Sequence, residues 1–237
     1  MIPNLRRFLL LFLIILPFLA SCGVKPYPYE KISDKTKIQA LSLFVKPFFS
    51  LSSNVRVKVS YLGKGIKGKG YLYYREGKLR ILLLNPLKSP LYDLIVYPDG
   101  SYLIDYQYMG YLDLKDTECL DSDILPEKFN AVLPMLFFDF SEENLNRIHS
   151  MYQDESGRIS GFDYLSGKKT MQRLVSVQYL NYQTIGSDSV PGKIVIENGG
   201  NDIIIELTGD IRVDIPIKDK VFDLTRLNKY KDLCSEK

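Results

Sequence analysis

Leu79-Arg80-Ile81-Leu82-Leu83-Leu84-Asn85-Pro86-Leu87-Lys88-Ser89-Pro90-Leu91-Tyr92-Asp93-Leu94-Ile95-Val96-Tyr97 reads as a strand, a short loop and a second strand. Asn85-Pro86 favours a turn, and Pro86 fixes the backbone of the loop. Ile81 to Leu84 and Leu94 to Tyr97 carry apolar residues at consecutive positions, where a sheet with one wet face should alternate. Something apolar must therefore cover the second face. Helices from the same chain are the expected cover, and a bound lipid could form part of it.

Around this pair the strands do alternate. Val55, Val57, Val59 and Tyr61 interleave with Arg56, Lys58 and Ser60, a period of two with one polar face. The same period runs through Tyr102, Ile104, Tyr106 and Tyr108, through Val175, Val177 and Tyr179, and through Ile211, Val213 and Ile215. Turns at Glu76-Gly77, Asp99-Gly100 and Asn198-Gly199-Gly200 separate the runs at hairpin spacing. Before them, Ser33 is placed to cap a helix with Ile38, Leu41, Phe44 and Val45 on one face, ending before Pro47. In the middle, Phe129, Val132, Leu133, Leu136 and Phe137 form a helical stripe after Pro126, which Pro134 should kink or shorten. Ser141 reads as the cap of another helix with Glu142 and Glu143 in its first turn and Leu145, Ile148, His149 and Tyr152 on one face. The expected fold class is mainly β with helices (α+β). The order, about five strands on either side of two short helices, fits a single strongly curved antiparallel sheet with helices packed in its hollow.

The chain of 237 residues is 46% hydrophobic and 25% charged, with 17 Tyr, no Trp, one His and three Cys. That composition excludes disorder, collagen and coiled coil, and one His with three scattered Cys cannot supply a usual metal-ligand set. Arg6 and Arg7 precede an apolar run from Phe8 to Ala20, too short to span a bilayer and suited to a signal peptide. The run ends in Leu19-Ala20-Ser21-Cys22-Gly23, which resembles the bacterial lipobox. The resemblance implies cleavage before Cys22, diacylation of its sulfur and a further N-acylation, in the manner of palmitate-bearing lipoproteins. Gly23, in place of Asp, points by the enteric sorting rules to the outer membrane, with the protein facing the periplasm. Two or three chains anchor stably where one would not.

Without residues 1–21, 29 basic residues stand against 28 acidic ones, so no nucleic-acid footprint remains. Cys119 and Cys234 are then the remaining thiols, and an oxidising compartment permits a bond between them. The expected organisation is a signal peptide over 1–21, an acylated Cys and tether over 22–32, one domain over 33–226 and a tail over 227–237.

Catalytic motifs fail on context. Gly63-Lys64-Gly65-Ile66-Lys67-Gly68 satisfies G-x-G-x-x-G, but a strand-like run follows it where a phosphate site needs a helix, so a flexible basic hairpin turn is expected. His149 has neither a nucleophile nor an orienting partner nominated by the sequence, and a structural role at the core edge is expected. Neither an enzyme activity nor a cofactor or metal site is expected.

Leu82 to Ser89 resembles the strand–loop–strand signature of the LolB family of outer-membrane lipoprotein receptors, in which the loop reads Leu-x-Asn-Pro-Leu-Gly-Ser or close to it. The resemblance is clearest over residues 54–114, with Lys88 at the usual Gly, and Phe222-Asp223-Leu224 resembles the closing strand of such domains. It implies an incomplete antiparallel β-barrel, a half-barrel with a helical lid over an apolar cavity for acyl chains; Phe129, Leu133, Leu136, Phe137 and Leu145, on the two middle helices, are the expected lid contacts. It also implies lipidated cargo proteins received from a LolA-like periplasmic carrier, and a membrane-insertion loop of Leu87, Pro86 and Lys88. An exposed Leu87 could enter a bilayer interface with Lys88 at anionic headgroups, whereas a Leu87 folded back would cap the sheet edge. The chain is expected to work as a monomer. A scaffold or assembly lipoprotein holding a protein partner, or a shuttle for another lipid, would use the same half-barrel. An open apolar hollow favours a carrier, and one filled by the protein's own side chains favours a scaffold.

Overall fold

The computed structural model describes residues 30–42, 46–61, 64–114, 129–140, 142–166, 173–199 and 201–234. The lipobox with Cys22, as well as Cys119 and Pro126, lie outside them. The strands are β1 (Glu30–Ile32), β2 (Ser50–Tyr61), β3 (Lys64–Arg75), β4 (Lys78–Leu84), β5 (Pro90–Val96), β6 (Ser101–Asp105), β7 (Gly110–Asp113), β8 (Ile148–Gln153), β9 (Ile159–Ser166), β10 (Arg173–Ile185), β11 (Asp188–Asn198), β12 (Asn201–Val213) and β13 (Lys231–Asp232). They form one open sheet in the order β1-β8-β9-β10-β11-β12-β2-β3-β4-β5-β6-β7-β13, antiparallel throughout except for the parallel β13–β7 pair. The expected open antiparallel architecture is present, with few helices.

Strand parity assigns the faces. In β4, Leu79, Ile81 and Leu83 are buried, while Arg80, Leu82 and Leu84 are half-buried on the opposite face. The buried set joins Leu51, Val55, Val57, Leu72, Tyr74, Val175, Val177, Tyr179, Ile205 and Leu207 in one core on a single face of the sheet, the inner face. Gly68 and Gly70 stand on that face opposite Val57 and Val55. A Cβ at Gly68 would meet the Leu83 side chain at 3.0 Å, and one at Gly70 would meet the Leu82 carbonyl oxygen at 1.8 Å. These glycines therefore serve close strand packing within β3, and the basic hairpin turn expected there is mostly strand.

Helix α1 (Lys35–Ser42) begins one residue later than Ser33 suggested. Asp34 caps it, accepting the Thr36 amide at 2.9 Å. Helix α2 (Phe129–Leu136) contains Pro134 and ends two residues beyond it; the Phe137 amide then turns back onto the Pro134 carbonyl at 3.0 Å. The second expected helix is only one turn, α3 (Glu142–Leu145), and Ile148, His149 and Tyr152 belong to strand β8. The run fits both periods over so short a length. Pairing decides it: Asp154 Oδ1 accepts the amides of Ser156 and Arg158, both at 2.9 Å, and closes the β8–β9 hairpin. His149 is exposed on that strand and does not sit at a core edge.

The cover of the second, outer face is the C-terminal segment, not a helix from the middle of the chain. Ile95 and Ile104 are fully buried there, with Ile217 and Phe222 of the segment. Phe222-Asp223-Leu224 is not a closing strand; it links two 3-10 turns, Asp219–Val221 and Thr225–Lys229. Residues 227–232, read as tail, fold with the domain: Tyr230 meets Tyr106 edge-on at 5.7 Å, and β13 pairs with β7. Cys234, just beyond, is disulfide-bonded.

Buried Asp93 fastens this cover. Arg80 donates to both of its oxygens at 2.8 and 2.7 Å, Arg226 Nη1 lies at 3.4 Å and Tyr106 Oη donates at 3.2 Å. Burial and then the Asp93 charge push the Tyr106 hydroxyl up to about 12, so it remains the donor. Arg80 Nη1 also donates to the Val221 carbonyl at 3.0 Å, tying sheet to segment. Asp93→Ala leaves the Arg80 charge uncompensated, and we expect it to lower stability by about 3–5 kcal/mol in urea unfolding.

At the opposite end of the sheet from the β4–β5 loop, Asp214 accepts Lys46 Nζ at 2.9 Å and the amides of Phe49 and Ser50 at 2.9 and 3.5 Å. Burial alone would raise this carboxyl, but these donors outweigh it and hold it below its ordinary 3.8. A carboxyl depressed on folding stabilises above its unfolded pKa and loses that contribution as the pH falls through its folded value. Stability should therefore decline below about pH 4, and Asp214→Asn should flatten that limb of a plot of urea midpoint against pH.

Candidate functional site

The β4–β5 loop is locked by its first residue. Asn85 Oδ1 accepts the amides of Leu87 and Ser89 at 2.9 and 3.0 Å, the Asn85 amide donates to the Ser89 carbonyl at 2.9 Å, and the Lys88 amide donates to the Asn85 carbonyl at 2.9 Å. Pro86, lacking an N–H, fits the position after Asn85 without an orphaned donor. Lys88 has φ +63°, the left-handed region that favours Gly. The Leu87 side chain points into solvent with 85% of its surface exposed, so it does not fold back onto the sheet edge. Lys88 beside it is also exposed.

The inner face is occupied by helix α2 and the segment after it, with Phe137 set over the end of β3 away from this loop. Leu133, Met135, Leu136, Phe137, Phe138 and Phe140 are all buried in the main core. Phe137 stacks on Tyr74 of β3 at 4.0 Å between ring centroids. Phe138 packs on Phe48 and Tyr179, Phe140 meets Phe162 edge-on at 6.0 Å, and Tyr179 Oη donates to the Met135 carbonyl at 2.5 Å. Burial drives the Tyr179 hydroxyl well above its ordinary value, so it stays a donor in that bond. Of the five expected acyl-chain contacts, Leu133, Leu136 and Phe137 come together here. The side chain of Phe129 lies outside the described residues. Leu145 is half-buried and packs against the same core, beside Lys35, Ile38 and Asn146.

A second apolar feature escaped the sequence reading. Leu72, Ile81, Leu94, Leu103 and Leu112 stand in register across β3, β4, β5, β6 and β7 on the inner face. Leu72 and Ile81 are buried, whereas Leu94, Leu103 and Leu112 are half-buried, so the row opens to solvent toward β7. Tyr92, also half-buried on this face, lies between Leu94 and the end of the sheet that carries Leu87. The signal was present as Leu or Ile at matching positions, but only the register brings these residues together. Among the described residues no cluster of three or more His, Cys, Asp or Glu could hold a metal.

No protein-family model matches the sequence, and no match is found among curated proteins. Solved structures do resemble it. A domain from Vibrio parahaemolyticus named for outer membrane lipoprotein sorting superposes with a TM-score of 0.53 at 9% identity, covering 82% of this chain and 99% of that one. A DUF1329 family protein from Desulfovibrio piger gives 0.49 at 10% identity, covering 81% and 97%, and a LolA superfamily protein from Nitrosomonas europaea gives 0.47 at 10%, covering 83% and 100%. The first of these likenesses establishes a shared fold.

Asn85→Ala should leave the sheet intact and release the loop, read as faster amide hydrogen exchange at Leu87 and Ser89. Lys88→Gly removes the left-handed strain of a side-chain-bearing residue and should stabilise the fold by about 0.5–1 kcal/mol in urea unfolding, whereas Lys88→Val should destabilise it.

Proposed function

We propose that this chain is a non-enzymatic outer-membrane lipoprotein, anchored through acylated Cys22 and facing the periplasm. Its half-barrel takes the acyl chains of lipidated proteins from a soluble LolA-like carrier and passes them to the bilayer at the loop bearing Leu87. The observation that carries this reading is the locked loop with its exposed Leu87 at one end of an apolar inner face. The shared fold with a domain named for outer membrane lipoprotein sorting supports it.

Acyl chains contribute about 0.8 kcal/mol per CH₂ removed from water, so an apolar surface suffices and no energy source is required. Leu94, Leu103 and Leu112 offer the first contact, because they are already half-open. Deeper entry requires the α2 segment to yield, since Phe137, Phe138 and Phe140 fill the described hollow. Helix α2 then acts as the lid. Transfer runs from carrier to receptor to membrane as each site offers the chains a more favourable environment.

A second reading has its own support. A hollow filled by the protein's own aromatic rings suits a scaffold that holds a protein partner. The two differ in one assay, in which a fluorescent diacylated lipopeptide on a Lol-type carrier is offered first to this protein and then to liposomes. The receptor reading expects uptake, then release that fails in Leu87→Glu while uptake persists. Leu103→Asp should instead reduce uptake in a protein that unfolds normally. A folded wild-type chain that takes up no lipopeptide sinks the receptor reading and favours the scaffold.

A further inference from the structure

The hairpin ends at β2–β3, β4–β5, β6–β7, β9–β10 and β11–β12 all lie at one end of the sheet. Five of the seven large exposed apolar residues among those described, Leu87, Tyr108, Met109, Leu165 and Leu174, are at that end. Three of them cluster on adjacent loops. The β6–β7 turn lies beside the β4–β5 loop, because the Tyr106 amide donates to the Leu91 carbonyl at 3.1 Å. Two strand spacings, about 10 Å, separate the midpoints of the two loops.

The two loops are built alike. Asn85 opens the first and accepts two later amides; Asp105 opens the second and accepts the amides of Gln107 and Tyr108 at 2.8 and 3.2 Å. Each holds a non-glycine residue in the left-handed region, Lys88 at φ +63° and Met109 at φ +50°. Each presents apolar side chains to solvent: Leu87 on one, and Tyr108 and Met109, 69% and 56% exposed, on the other. Next to them the β2–β3 hairpin runs past the end of β4, since Lys69 pairs with Leu84. On its outer face Lys58 stands directly opposite Lys67, and Lys69 opposite Arg56. Directly opposed like charges destabilise a hairpin. Arg56 is balanced by Glu206 at 3.2 Å, but Lys58, Lys67, Lys69 and Lys88 have no ion pair among the described residues. The Asp105 carboxylate is turned toward its own loop amides.

We infer that the β6–β7 turn is a second bilayer-insertion element: Tyr108 and Met109 enter the headgroup boundary of an anionic membrane together with Leu87, while Lys58, Lys67, Lys69 and Lys88 meet lipid phosphates. The inference rests on the reading of Leu87 as membrane-facing and adds a partner surface to it. Tyr suits the boundary because its ring is apolar and its hydroxyl wet, and Met is a flexible apolar filler. Each lysine near an anionic leaflet adds about as much as a small apolar contact, and salt weakens that share.

The chain has no Trp, so single replacements report their own surroundings. The full chain, purified from membranes and reconstituted in phosphatidylcholine vesicles with one part in three (about 33%) phosphatidylglycerol, would be tested with brominated lipids. Tyr108→Trp and Leu87→Trp should both be quenched and blue-shifted, while Phe49→Trp, exposed at the opposite end, should not. Adding Lys58→Gln, Lys67→Gln and Lys69→Gln should raise the phosphatidylglycerol needed for half-maximal quenching at least about twofold. Quenching at Leu87→Trp with a water-like Tyr108→Trp overturns the second element and leaves the Leu87 reading standing. No quenching at either position overturns both. Equal quenching in pure phosphatidylcholine and in high salt overturns the role given to the lysines.

Discussion

The seam between β2 and β12 is the pairing on which the rest of the structure depends. It joins residues 50–61 to residues 201–213, with Val55 opposite Leu207, Val57 opposite Ile205 and Val59 opposite Ile203. Every other antiparallel neighbour in the sheet except β1–β8 is a hairpin or near-hairpin, close in sequence. Without this seam the chain would be two separate meanders, each with an uncovered apolar face. With it, the inner faces of both halves share one core, and the α2 segment can touch Tyr74 on one side and Tyr179 on the other. A contact so distant in sequence forms only after a large loss of chain entropy, so the hairpins on either side must supply most of the early structure.

Burial on two faces follows from that sheet. The inner face takes the α2 segment; the outer face of β4 to β6 takes the C-terminal segment. The two covers are held differently. The inner one rests on ring contacts and few hydrogen bonds, which a competing apolar molecule can replace without leaving charges unpaired. The outer one is tied by Arg80, Asp93 and Arg226, a buried charge network whose disruption is costly from either side. The two covers thus differ in chemistry as well as in face.

Much of this was legible in the sequence, for reasons that particular residues make clear. The period of two in Val55 to Tyr61 fixed strand type and face, because burial on one side of a pleat leaves no other pattern. The apolar run Ile81 to Leu84 correctly demanded cover on both faces. It could not say which segment supplied that cover, since Ile217 and Phe222 lie in a stretch without helical or strand period. Ile148 to Tyr152 fits either period, and pairing with β9 on one side and β1 on the other decides it as strand. For the candidate site, the loop was visible in Asn85-Pro86-Leu87, because its geometry is set by local hydrogen bonds. The row from Leu72 to Leu112 was not, because a register across five strands is a tertiary fact. Tyr108 was misread as a strand residue, since alternation continues through it while the chain has already turned.

Lys88 and Met109 bear most directly on what the end of the sheet is for. Glycine would hold φ values of +63° and +50° without strain, yet neither loop uses it. Strain retained at exposed tips serves no packing purpose, because these side chains touch no core. It is better explained by what the side chains present to the outside, a charge in one loop and an apolar thioether in the other. The Asn85 and Asp105 locks have the same logic. A loop that is already ordered in water loses little further freedom when its apolar residues enter another phase, so more of the transfer energy remains as binding. Two neighbouring loops built this way are more economically read as one surface than as two independent accidents of turn chemistry.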